Sequence, residues 1–192
     1  ELGFGFDIHG GGLDLVFPHH ENEIAQSEAA ESARPFARSW LHNGMVRLKG
    51  KKMTKSVGNI VGLLELLDQY RGEAVRLFYL RAHYRQPIDF SPELVVDAEA
   101  ALDRLWAFRR RGGETVAAPD AESLQRFILA MDDDFNTAEA MGVLFDVIRD
   151  GNRHFDVGED AGPYLAAFDE IVGVLGLGEV AGGIDDFLES LL

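Results

Sequence analysis

The chain has 192 residues, 46% hydrophobic and 27% charged, which is enough apolar content for the core of one or two domains. No apolar run approaches the roughly 20 residues that span a bilayer, no signal segment opens the sequence, and cysteine is absent, which excludes a disulfide framework and thiolate metal sites within these residues. The net charge of −15 sits at one end: residues 112–192 hold 3 basic and 18 acidic side chains, whereas residues 1–111 hold 15 of each.

In chain order, Phe4-Gly5-Phe6-Asp7-Ile8 alternates apolar residues and predicts a buried strand, with Gly10-Gly11-Gly12 as a loop at its C-terminal end. Open α/β sheets bind ligands at such strand ends. Pro18 suits a first helical turn, and His19 to Ala30 has helical composition with Ile24 and Ala25 facing inward. Met45-Val46-Arg47-Leu48 reads as a short strand turned by Gly50 into Lys51-Lys52-Met53-Thr54-Lys55-Ser56, a stretch without acidic residues. From Gly62 the positions Leu63, Leu64, Leu66, Leu67, Val75, Phe78, Tyr79 and Ala82 repeat at helical spacing, broken at Gly72. A long helix is predicted from Pro92 to about Arg110, with Leu94, Ala98, Ala101, Leu102, Leu105 and Phe108 on one face. Residues 112–119 read as a linker, followed by helices at about 120–133, 137–154, 162–175 and from Ile184. Asp132-Asp133-Asp134 reads as an acidic helix end, with an Asn or Thr cap before Ala138. Trp106, Phe108, Phe127, Phe135 and Phe145 read as core rather than as base-stacking platforms.

Certain of these segments carry chemistry. Two flexible ammonium groups three positions apart, Lys52 and Lys55, suit a polyphosphate whose charge grows in a transition state. His19 and Glu23 are four apart on the predicted helix and project from one face, so they can converge on one ion; His20 and Glu23, three apart, can do the same. The competing reading of such a pair is an exposed helix whose His and Glu face water or each other. Gly10 to Gly12 lack Cβ atoms, so backbone can approach a ligand closely, with His9 and Asp14 beside them. For these two the alternatives are a core histidine held by backbone and a turn cap.

The blocks Phe6-Asp7-Ile8-His9-Gly10-Gly11-Gly12-Leu13-Asp14-Leu15 and Phe17-Pro18-His19-His20-Glu21-Asn22-Glu23, then Trp40-Leu41-His42-Asn43-Gly44, the lysine stretch, His83-Tyr84-Arg85 and Asp132 to Thr137, closely resemble cysteinyl-tRNA synthetase, a class I aminoacyl-tRNA synthetase family. The resemblance covers essentially the whole chain. The family's lysine loop (KMSKS) usually reads Lys-Met-Ser-Lys-Ser; Thr54 departs from it but keeps the hydroxyl. Members begin with a nucleotide-binding half that carries a His-x-Gly-His-like signature and two zinc-binding cysteines, neither of which is found here. An interior fragment is therefore expected, lacking the N-terminal half and the extreme C-terminus and inactive alone.

The resemblance implies a fold class: the α/β end of a class I Rossmann-type catalytic domain followed by an all-α bundle. Residues 1–60 would end the catalytic domain, 61–111 would connect and contact the tRNA stem, and 112–192 would form a bundle of the anticodon-binding type. It implies cysteine activation with ATP and Mg²⁺ to cysteinyl-adenylate, then transfer to the 3′ end of tRNA(Cys). It selects His19 and Glu23 as ligands of Zn²⁺, with the other ligands upstream, and places His9 near the amino acid and Asp14 near the ribose. Lys52 and Lys55 would act on the leaving pyrophosphate, Lys55 as the principal ATP contact. A monomeric, cytoplasmic enzyme without a membrane partner follows. Three alternatives accompany this reading: a mycothiol-pathway ligase joining cysteine to glucosaminyl-inositol, a truncated non-catalytic RNA-binding or scaffold paralogue, and a generic zinc module. The acidic balance of residues 112–192 counts against extensive tRNA contact there.

Overall fold

The structure, a computed structural model, describes residues 5–31, 34–48, 51–52, 62–113 and 116–178. They divide into two units, one of residues up to 53 with Tyr84–Asp89, the other of residues 54–83 and from Phe90 onward.

The first unit is built on a parallel pair, β1 (Phe6–Gly12) and β2 (Ala37–Asn43), in a register that runs from Phe6↔Ala37 through His9↔Trp40 to Gly12↔Asn43. Parallel neighbours need a crossover. Here it comprises a 3-10 turn (Leu13–Leu15), a kinked helical turn (Val16–His20) and α1 (Glu21–Glu31). The three glycines thus lie in the strand itself, and are not the loop expected from their composition; the ladder to β2 continues through all of them. Nor is the strand buried throughout, since Ile8 is exposed. Phe17 has extended backbone inside the turn, so regular helix starts at Glu21 rather than at Pro18. No residue of α1 is fully buried; Ile24 is half-buried and Ala25 exposed. Its far end is held by polar contacts instead: Glu28 accepts from the Phe36 amide at 3.2 Å and pairs with Arg34 at 3.2 Å.

After β2 the chain forms β3 (Val46–Leu48) and β4 (Lys51–Lys52), antiparallel with Arg47↔Lys52, while β5 (Ile88–Phe90) lies on the other side of β3. The Gly44 amide donates to Tyr84 O and the Ile88 amide to Met45 O. Gly44 is required at this crossing, because a Cβ there would stand 2.1 Å from Gln86 O.

The second unit is helical: α2 (Leu63–Leu67), α3 (Gly72–Leu80), α4 (Pro92–Gly112), α5 (Ala121–Asp132), α6 (Thr137–Val157) and α7 (Gly162–Leu175). The helix expected from Ile184 lies outside the described residues. In α4 the buried stripe is Val95, Ala98, Ala101, Leu102, Leu105 and Phe108. Leu94, assigned to that face from the sequence, is 39% exposed because the stripe is in phase with Val95 at i, i+3 and i+7. Tyr79 and Leu63 are likewise exposed rather than core.

Phe108 and Phe168 are buried at the centre, ring edge to face at 5.5 Å, with Trp106 against Phe168 at 6.1 Å and Phe155 against Phe108 at 6.0 Å. Burial of each such ring contributes about 1.5–3 kcal/mol, and tilted ring pairs roughly 0.5–1.5 more. Asp120 caps α5 by accepting from the Ser123 amide, and Asn136 caps α6 by accepting from the Glu139 amide. The α5–α6 turn puts Asp134 and Phe135 at φ 55° and 54°, and leaves Phe135 half exposed instead of in the core. Thr137 Oγ1 donates to Ala82 O and His83 lies 3.8 Å from Asp134, which ties this turn to the end of α3.

Two substitutions separate packing from propensity in α6. A Cβ on Gly151 would meet Phe108 Cζ at 2.6 Å, so Gly151→Ala lowers the unfolding free energy by about 1–3 kcal/mol. Nothing lies within 4 Å of a Cβ at Gly142, so Gly142→Ala raises it by roughly 0.5–1 kcal/mol; thermal melts read both. Asp146 gives a pH test. The hydrogen bond from Arg126 at 2.6 Å, with Arg149 at 2.7 Å, holds its carboxyl below the ordinary 3.8. A depressed folded-state pKa contributes stability above the unfolded value, and that stability is lost as pH falls through the folded one. Asp146→Asn therefore costs stability at neutral pH and loses less between about pH 4 and pH 2 in urea titrations.

Candidate metal centre

Four imidazoles and one carboxylate meet on the face of the β1–β2 pair. Glu23, in the first turn of α1, directs its two oxygens at different rings: Oε2 is 3.0 Å from His9 Nε2, and Oε1 is 3.4 Å from His19 Nε2. His9 comes from the middle of β1 and His19 from the kinked turn, so one side chain joins the strand to its crossover. The His9 contact is close but is not aligned as a hydrogen bond, so Oε2 is a buried acceptor without a hydrogen bond. A carboxylate oxygen placed so is open to a cation. Donor atoms of His9, His20 and Glu23 also lie within 4.8 Å of one another.

His20 stands behind these groups and is 3% exposed. Its ring rests on the bare Cα of Gly11, where a Cβ would be 2.8 Å from His20 Cε1; only glycine admits the ring. Its Nδ1 is 2.9 Å from Nε2 of His42, so one of the two nitrogens donates to the other. Burial, then His42 and His9, hold the His20 pKa below its ordinary value against the pull of Glu23, which keeps the ring neutral. Trp40 tilts against His9 at 4.6 Å and His20 at 5.1 Å, and lies parallel to His42.

The structure thus brings together His9, His19 and Glu23 from the sequence reading. Asp14 lies in the exposed 3-10 turn just past β1, its Oδ1 folded back over Gly12. Lys52 is in β4 opposite Arg47, and Lys55 is outside the described residues. His42 and Trp40 received no role from sequence alone, and His20 only that of an alternative partner to Glu23. Trp40 and His42 are two apart, which puts them on one face of a strand, but their meeting with the histidine doublet depends on the β1–β2 register.

Comparison with known proteins matches both segments of the chain to known families. Residues 1–100 match the family of tRNA synthetases class I (C) catalytic domain, and residues 126–179 match the DALR domain. A cysteine–tRNA ligase of Pseudomonas paraeruginosa is 50% identical over 177 residues, covering 92% of this chain and 38% of that protein. One from Geobacter sulfurreducens is 49% identical over 194 residues, covering 92% and 40%. The chain thus spans about two fifths of the length of the curated relatives it matches. Among solved structures, the Agrobacterium radiobacter LeuRS–tRNA–LeuAMS ternary complex superposes with a TM-score of 0.67 at 17% identity, over 89% of this chain and 26% of that one, a similarity of fold. With a parallel βαβ unit ahead of a helical domain, and with matches on both segments, the chain belongs to the cysteinyl-tRNA synthetase family of class I aminoacyl-tRNA synthetases.

Proposed function

We infer that this chain supplies the thiol-selecting part and the lysine loop of a cysteine–tRNA ligase, which makes cysteinyl-adenylate from cysteine and ATP and passes cysteine to the 3′ end of tRNA(Cys). The observation that carries this reading is the convergence of His9 and His19 on the two oxygens of Glu23, with one oxygen buried and lacking a hydrogen bond. Imidazole and carboxylate are donors that zinc accepts, so the residues fit that metal, with His19 and Glu23 as its ligands here and the remaining ligands on residues outside this chain. Zinc bound there supplies a soft Lewis acid that takes a thiol as thiolate, a distinction from serine's hydroxyl that pocket size alone makes poorly.

The chain's own side chains do the rest. His9 carries a ring at the amino-acid pocket and orients Glu23. Asp14, at the strand end where α/β sheets bind ligands, faces the ribose. Lys52 and Lys55 neutralise charge that builds on pyrophosphate as cysteine's carboxylate attacks the α-phosphorus, with Mg²⁺ on the phosphates. Residues 1–60 act in catalysis, 61–111 connect, and the bundle of 112–192 supports tRNA. The working enzyme is a cytoplasmic monomer; no described helix is long and apolar enough to cross a membrane.

One observation favours a second reading, the ligase that joins cysteine to an amino sugar. The basic residues of 112–192, Arg126, Arg149 and Arg153, are all paired to Asp146 or Asp150, which leaves that surface acidic and ill suited to phosphate.

Supplying in trans the N-terminal half of a cysteine–tRNA ligase restores cysteine-dependent ATP–pyrophosphate exchange, and product assays with tRNA and with glucosaminyl-inositol then separate the two readings. In the restored enzyme Lys55→Ala lowers exchange about 10²–10³-fold with little change in cysteine KM; unchanged exchange removes the assignment. Glu23→Gln lowers zinc affinity beyond the roughly 10–100-fold typical of outer-shell losses, as read by a chelator competition assay; the chain alone, with two of the ligands, holds zinc weakly.

A further inference from the structure

Behind the assigned donors stands a layer of side chains for which the reading above has no use. His42 projects from β2, its ring parallel to that of Trp40 (11°, centroids 6.0 Å apart), and its Nε2 meets Nδ1 of buried His20 at 2.9 Å. His20 is confined by Gly11 and presents its ring at 86° to His9, 5.1 Å between centroids. His9 reaches one oxygen of Glu23 at 3.0 Å, and His19 reaches the other at 3.4 Å. An unbroken series of contacts therefore runs from β2 to the donor pair.

We propose that His42 is a positioning residue for this centre: by its hydrogen bond it locks the His20 ring that backs His9, and so fixes the Glu23 carboxylate. The proposal rests on the reading of His19 and Glu23 as metal donors. The physical ground is the cost of leaving a buried nitrogen without a partner, which forces the ring to turn or to admit water. Glu23 and His9 are partly exposed, at 31% and 24%, so their attraction is screened and does not set their geometry unaided. Partners in a metal's outer shell set ring orientation and tautomer, and their loss weakens binding about 10–100-fold.

His42→Phe keeps a ring over Trp40 without a nitrogen, whereas His42→Gln returns a hydrogen-bonding group near the Nε2 position. Each is compared with the parent chain by circular dichroism, by long-range ¹H–¹⁵N spectra of the histidine rings, and by Co²⁺ titration followed by visible absorption. The parent shows one tautomer at His20 and at His9. His42→Phe mixes tautomers at both rings and weakens Co²⁺ severalfold, less than the roughly 10–100-fold of a direct outer-shell loss, and His42→Gln restores both properties. A folded His42→Phe with the parent's ring spectra and cobalt affinity overturns the proposal. If the parent alone binds cobalt too weakly to titrate, the titration is repeated with the N-terminal half of a cysteine–tRNA ligase supplied in trans; no cobalt there removes the donor-pair reading, and the ring spectra still decide the positioning role. If His42→Phe does not fold, His42→Asn replaces it: its amide ends short of the Nε2 position, so parent-like spectra and affinity there overturn the proposal.

Discussion

A single carboxylate shared by two imidazoles is the constraint on which the centre depends. Glu23 has one oxygen on His9 from a strand and the other on His19 from the turn that leaves it. Because these groups are 24–57% exposed, solvent screens both contacts, and they do not hold three elements in place unaided. The scaffold must therefore fix the geometry. It does so through the parallel β1–β2 ladder and the absence of a side chain at Gly11, which lets the buried His20 ring lie directly on the strand.

The two units divide chemistry from bulk. In the first, fully buried side chains are few and polar rings crowd one face of a sheet; in the second, aromatic and aliphatic side chains from α4, α6 and α7 form a large apolar core. Charge follows the same division. Several of the helical unit's arginines are held in pairs, among them Arg109–Asp169, Arg111–Asp156 and Arg126–Asp146, which staple neighbouring helices across their solvent edges. Such exposed pairs add register more than stability.

How much of this was legible in the sequence differs by element. The long helices were, because apolar stripes and caps such as Asp120 and Asn136 are local signals. The stripe of α4 was read in the right phase from Ala98 to Phe108, and only its first position differs, since Leu94 and Val95 are equally apolar and only packing separates them. The glycine triplet was misread as loop because Gly has low strand propensity, whereas pairing with β2 and the need for bare Cα atoms at Gly11 outweigh that preference. His9, His19 and Glu23 were found through motif and spacing. The contact between His20 and His42 was not, because it spans 22 residues and depends on a register that no local pattern encodes. Phe135 was assigned to the core by its periodicity, but the left-handed backbone of its turn carries it outward.

Trp40 has a consequence of a different kind. Its indole lies within 4.6–6.0 Å of His9, His20 and His42, while the chain's other tryptophan, Trp106, packs in the helical core against Phe168. A ligand that shifts these rings changes the surroundings of Trp40, while Trp106 keeps its apolar packing and provides a reference within the same molecule.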